Sequence, residues 1–145
     1  MIEMLTLALA GELFAFEAVI VSEILDLGPI TRVPNAPAHA PGLINVRGKV
    51  VPLIDLKVLL DMAPTEKTID TRIVVVDLPV EGERISAAIL ADKVYEVATT
   101  DPASLDATPR TGMKWPAEFI RGIGRRNSDF LIILDIPRIF ASGLL

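Results

Sequence analysis

Cysteine is absent from these 145 residues, and histidine occurs once, at His39. The first absence excludes disulfides, thiolate zinc sites, iron–sulfur clusters and thiol nucleophiles. The second excludes multi-histidine metal centres. Positive charge is also short. Fourteen Lys and Arg stand against 19 Asp and Glu, for a formal net charge of −5. A nucleic-acid binder needs the opposite balance. Long uncharged runs are missing too. Glu3, Glu12, Glu17 and Glu23 cut the apolar N-terminus, and no stretch nears the roughly 18 residues a membrane helix requires. Arg32 is the first basic residue, whereas a secretory signal carries positive charge ahead of its apolar core. The expectation is a cytoplasmic protein without membrane insertion.

What is present is apolar. Hydrophobic residues make up 51% of the chain, which excludes disorder. A single domain of this size buries about 70% of its unfolded surface. The apolar segments are short and rich in Val, Ile and Leu, which favours strands over helices. Met4 to Ala10, Leu13 to Phe16 and Val19 to Leu25 read as strands, with a turn at Gly11-Glu12. Three hairpins follow: Leu43–Arg47 with Val50–Ile54 around Gly48-Lys49, Arg72–Leu78 with Arg84–Ala91 around residues 79–83, and Phe119–Gly124 with Phe130–Leu134 around residues 125–129. Asp55 and Asp135 are placed to cap short helices at Leu56–Leu60 and Ile136–Phe140. The segments Gly28–Gly42 and Thr99–Pro116 are proline-rich loops.

A weak internal repeat runs through this pattern. Val21-Ser22-Glu23-Ile24 resembles Val94-Tyr95-Glu96-Val97, and the segment from Leu53 to Leu59 resembles that from Ile133 to Ile139. Two similar β-units are expected. Closure into barrels removes exposed strand edges. Units this small are marginal alone and should share an apolar seam.

Catalytic constellations are scarce. His39 lies in a Pro-Ala-His-Ala-Pro loop without triad-like partners. Gly122-Ile123-Gly124 lacks the third glycine of a dinucleotide fingerprint and leads into a strand. Asp55 and Asp135 could form an acid pair, but helix caps explain both. Asp92 reads as a hydrogen-bonding turn residue, Arg125-Arg126 as a solvated loop, and Trp115 as a core plug. Arg47, beside Gly48, reads as a hairpin tip or strand end, and Glu23 could lie on a nearby strand. Such an exposed pair would add only about 0–1 kcal/mol of stability, so its role would be recognition rather than folding.

Taken in order, the motifs resemble those of the CheW family, the coupling proteins of bacterial chemotaxis. They are Val21-Ser22-Glu23-Ile24, Pro34-Asn35-Ala36-Pro37, Gly42-Leu43-Ile44-Asn45-Val46-Arg47-Gly48, Pro52-Leu53-Ile54-Asp55-Leu56, Ala91-Asp92-Lys93-Val94 and the closing Gly122-Ile123-Gly124 with Leu134-Asp135-Ile136. The resemblance runs nearly end to end. It implies a mainly β fold, with two SH3-like five-stranded β-barrel subdomains packed on a shared apolar core, and with short helices. The subdomains, not contiguous in sequence, would make residues 1–145 a single CheW-like domain. It also implies no catalysis, no cofactor and no metal. The implied partners are the cytoplasmic tip of a methyl-accepting chemoreceptor and the regulatory domain of a CheA-type histidine kinase, with recruitment to membrane-associated receptor arrays. By motif position, Val21, Glu23, Gly42 and Arg47 correspond to the receptor-coupling surface. Kinase contact would use apolar barrel surface, with no residues assigned. The chain departs from the family at Ala88 and Ala91. If position 88 requires positive φ, alanine there is strained. With Met1 at its start and neither kinase nor receiver sequence, the chain fits a free-standing adaptor. A pilus or second-messenger circuit with the same adaptor fold, and a small-ligand barrel with Trp115 lining a seam pocket, are the alternatives.

Overall fold

The computed structural model describes residues 1–107 and 115–142. The strands are β1 (Ile2–Leu9), β2 (Glu12–Glu17), β3 (Val21–Asp26), β4 (Thr31–Arg32), β5 (Gly42–Val46), β6 (Lys49–Ile54), β7 (Arg72–Val80), β8 (Glu83–Ala91), β9 (Lys93–Thr100), β10 (Ile120–Arg126) and β11 (Asp129–Leu134). Two short helices, α1 (Leu56–Leu59) and α2 (Ile136–Ala141), follow β6 and β11.

Local chemistry sets the hairpins. Ala10-Gly11, Arg47-Gly48 and Glu81-Gly82 each place two successive residues at positive φ. Turns of that kind match the right-handed twist of the flanking strands, and glycine adopts them without strain. The β1–β2 turn therefore sits one residue earlier than the sequence suggests. The 79–83 loop contracts to Glu81-Gly82, with Pro79 inside β7 opposite Arg84. Proline is tolerated there because β3 pairs only with Arg72 to Val76 of β7, which leaves one side of Pro79 without a ladder to break. The 125–129 loop likewise contracts to Asn127-Ser128. The strand expected from Val19 starts at Val21, after a 3₁₀ turn over Ala18–Ile20. Of the loop Thr99–Pro116, residues 108–114 lie outside the described residues.

Two sheets result. From one edge the first runs β9-β1-β2-β11-β10, and the second runs β3-β7-β8-β6-β5-β4. Their first five strands correspond one for one. Both have the pairing senses antiparallel, antiparallel, parallel, antiparallel. The sequence repeat is therefore a repeat of topology, and each half ends in an Asp-capped helix. Asp55 accepts the Lys57 backbone N–H and Asp135 that of Arg138. The second sheet departs from the five-strand expectation by adding the two-residue β4. Ala88 is not at positive φ. It sits fully buried in β8 between Val75 and Leu53, so alanine is unstrained there.

Burial follows the period-two alternation of strands. On β1, Leu5, Leu7 and Leu9 enter the largest apolar cluster with Phe14 and Phe16, while Met4 packs with Ala15, Leu131 and Ile133 inside the first barrel. The largest cluster also takes Val74, Val76, Leu78 and Ile89 from the second sheet. A third cluster, including Val46, Val51, Leu53 and Leu90, fills the second barrel. The shared seam is thus larger than either barrel interior. Trp115 is buried in it, edge-on to Phe14 at 5.3 Å.

The Thr6 hydroxyl is fully buried opposite Ala15 and has no hydrogen-bond partner among the described residues. Burying an unsatisfied hydroxyl costs about 1–3 kcal/mol. Thr6→Val is therefore expected to raise the unfolding free energy by about 1 kcal/mol in urea melts. A lower midpoint would show that the hydroxyl is satisfied.

Candidate functional site

The hairpin β5–β6 carries the most specific motif, and its geometry explains each residue type. Ile44 and Val46 turn into the second barrel. Asn45 Oδ1 accepts the Gly48 N–H at 2.8 Å and so holds the turn. Arg47 and Gly48 are the turn, at φ 52° and 83°. Arg47 is thus at the hairpin tip, in a conformation that costs a bulky residue energy. From there its Nε and Nη2 both reach Oε1 of Glu23 on β3, each at 2.8 Å.

The two partners are unequally exposed. The Glu23 side chain is 20% exposed and the Arg47 side chain 80%. Glu23 orients a guanidinium that remains open to solvent. Beside the pair is a second polar run at the same barrel mouth. Lys49 Nζ donates to Ser86 Oγ, and that hydroxyl donates to Asp77. Beneath them lie Val46, Val51 and Val75.

Of the four residues expected at this surface, the structure brings together Glu23 and Arg47. Val21, at the start of β3, is half-buried against the seam. Gly42 is buried at the far end of β5, where it pairs with Arg32 and Leu53. A Cβ there would stand 2.5 Å from the Thr31 carbonyl oxygen and 2.9 Å from Ile30 Cγ2. Close backbone approach is what this glycine provides.

The first barrel repeats the pair. Arg126, at the end of β10, forms a two-pronged contact with Glu96 on β9, at 2.7 and 3.1 Å. Its guanidinium also lies 4.8 Å from the Tyr95 ring centre. The hydrogen bond from Arg126 holds the Glu96 carboxyl below the usual carboxylate range and raises the Arg126 guanidinium. The ionised pair therefore persists at neutral pH and is lost only as acidification protonates Glu96. β9 and β10 are opposite edges of the first sheet, so this clasp joins them. Sequence reasoning passed over it, although the repeated Val-x-Glu with an arginine at the matching hairpin is a readable signal. Arg126 is 28% exposed and enclosed by its partners. Arg47 is the open member of the two.

The remaining candidates take structural places. Arg125 lies over Phe130 at 5.0 Å. Asp92 Oδ2 accepts the Ala10 N–H at 2.7 Å. Gly122 and Gly124 give room to Leu105 and Asp106, which cross β10. The His39 carbonyl accepts the Asp55 N–H, and the His39 Nε2 has no partner among the described residues. Trp115 is absent from the lining of the seam cavity between Phe16, Ile20, Leu134 and Pro137. Among the described residues there is no cluster that could hold a metal ion, and no helix long and apolar enough to cross a membrane.

The CheW-like domain model matches residues 3–143. The chain belongs to the CheW-like domain family. It is 28% identical to the chemotaxis protein CheW of Treponema pallidum over 142 residues, covering 97% of this chain and 82% of that one. It is 27% identical to the chemotaxis protein CheW of Klebsiella aerogenes over 140 residues, covering 97% and 82%. Among solved structures it is similar to the scaffolding protein TtCheW from Thermoanaerobacter tengcongensis, with a TM-score of 0.82 and 30% identity, over 93% of this chain and 84% of that one. CheW-family proteins are non-catalytic adaptors of chemotaxis. The two-sheet architecture agrees with that class.

Proposed function

We propose that this chain couples the cytoplasmic tip of a methyl-accepting chemoreceptor to the regulatory domain of a CheA-type histidine kinase, at membrane-associated receptor arrays. The observation that carries the reading is the Arg47 guanidinium. It is fixed by a positive-φ turn and by Glu23, yet open to solvent. Arginines set on a rigid scaffold beside apolar surface are frequent binding hot spots, and a fixed charge selects partner and register. Val21, at the start of β3, packs against the seam, and Gly42 supports the hairpin from its other end. Coupling of this kind requires no chemistry in the adaptor. It requires contacts that differ between receptor states.

Arg47→Ala is expected to weaken receptor recruitment by roughly tenfold or more, the effect of losing a hot spot above about 1.4 kcal/mol. The melting temperature should stay within a few degrees, because exposed pairs contribute about 0–1 kcal/mol. Arg47→Asn keeps a residue that accepts positive φ while removing the charge, and the same loss is expected. The measurement is co-sedimentation with receptor-containing membranes, beside calorimetric titration into the isolated kinase regulatory domain. Undiminished recruitment of both variants would refute the role of Arg47. Absence of both heat and co-elution with the kinase domain would refute the kinase partner.

A further inference from the structure

The second barrel has another mouth, opposite the Arg47 end. A cavity of about 560 Å³ opens there. Leu53 and Leu90, both from the barrel interior, form part of its wall, and Leu27 and Ile30 add to it. Arg32 and Lys67 stand among its lining residues. Both are exposed, and neither makes an ion pair or side-chain hydrogen bond among the described residues. The acidic group lining the cavity, Asp55, is already engaged. Its Oδ1 accepts the Lys57 N–H and the Thr65 hydroxyl, and its Oδ2 accepts the Thr65 N–H. Those bonds also hold the 64–67 loop against the mouth.

Apolar walls with a few convergent polar groups, in a volume between about 300 and 1,000 Å³ at a barrel mouth, describe a small-molecule site. The uncommitted charge here is positive. We infer that this mouth binds a small amphipathic anion, with a carboxylate or phosphate head between Arg32 and Lys67 and a short apolar body against Leu27, Ile30, Leu53 and Leu90. The site is separate from the seam and from the Glu23–Arg47 surface, and it does not rest on the adaptor's partners.

The test is an amide-shift titration of the full ¹⁵N-labelled chain with octanoate, octyl phosphate and octanol, each below its aggregation limit. Saturable shifts at Leu27, Ile30 and Leu90 are expected with the anions. The stronger anion identifies the head group. Octanol should bind at least tenfold more weakly, as should octanoate to the Arg32→Gln/Lys67→Gln variant. Ala38→Trp, an exposed lining position, should close the mouth and abolish binding without lowering the melting temperature. Equal affinity for octanol and octanoate, non-saturating shifts, shifts centred elsewhere, or undiminished binding to Ala38→Trp would each overturn the inference.

Discussion

Asp92→Ala is expected to lower the unfolding free energy by about 3 kcal/mol, at the lower end of the cost of breaking a buried ion pair. Lys57 is only 8% exposed, and its ammonium lies 3.0 Å from Asp92 Oδ2 and 3.4 Å from Oδ1. Asp92 is the one ion-pair partner of Lys57 among the described residues. The same carboxylate accepts the Ala10 N–H. Alanine would leave a nearly buried ammonium and a turn amide without their acceptor. The lower end applies because the Asp92 side chain is 26% exposed, and water can reach part of the gap. Position matters as much as burial. Asp92 stands where the chain passes from β8 to β9, Ala10 turns β1 into β2, and Lys57 is on α1. One carboxylate therefore joins the two barrels. The second change that isolates the effect is Lys57→Met, which removes the charge needing a partner. Asp92→Ala/Lys57→Met should recover more than half of the loss in urea melts at neutral pH, a coupling readable as a double-mutant cycle. A cost below about 1 kcal/mol for Asp92→Ala, or simple additivity of the two changes, would show that the pair is not what joins the barrels.

What the sequence disclosed, and what it did not, divides along sequence distance. Hairpins are local. Gly11, Gly48 and Gly82 beside alternating apolar residues announced β1–β2, β5–β6 and β7–β8, with turn positions off by a residue or two. The Asp caps at 55 and 135 were legible for the same reason, since each bonds within a few residues. The parallel pairings β6–β8 and β2–β11 join segments far apart in the chain, and nothing local encodes them. The repeat of Val-x-Glu and of the Asp-capped turn announced two like units, not these pairings. The buried Lys57 was invisible, because a lysine beside an N-cap reads as solvated surface until the fold brings Asp92 to it. At the site, Arg47 was legible as a turn residue beside Gly48 and Glu23 as a residue of a nearby strand, but the register that brings them together was not. Gly42 was marked by the family motif alone. A glycine's reason for being glycine lies in what approaches it, and here that is Thr31 of β4, eleven residues earlier in the chain.

That approach makes Gly42→Val the other large effect. The added Cβ would meet the Thr31 carbonyl oxygen at 2.5 Å and Ile30 Cγ2 at 2.9 Å. The first obstacle is backbone and cannot rotate away. Overpacking of this kind costs about 1–3 kcal/mol or more. The structure can also escape by releasing β4, which holds to β5 through only Thr31↔Leu43 and Arg32↔Gly42. Either result leaves Arg47 in place, since five residues of strand, roughly 17 Å at about 3.4 Å each, separate the two positions. Hydrogen exchange distinguishes the outcomes. Release of β4 would remove protection from the β4–β5 pairing while leaving β7–β8 protected, whereas a global loss would lower every core amide together. Because Ile30, Arg32 and Pro41 line the mouth cavity, release of β4 should also abolish octanoate binding. A partner-coupling defect at Gly42 would then arise through the displaced strand, and one at Arg47 through a lost charge. Were Gly42→Val to melt like the parent and keep β4 protected, the close approach of Thr31 would not be what requires glycine here.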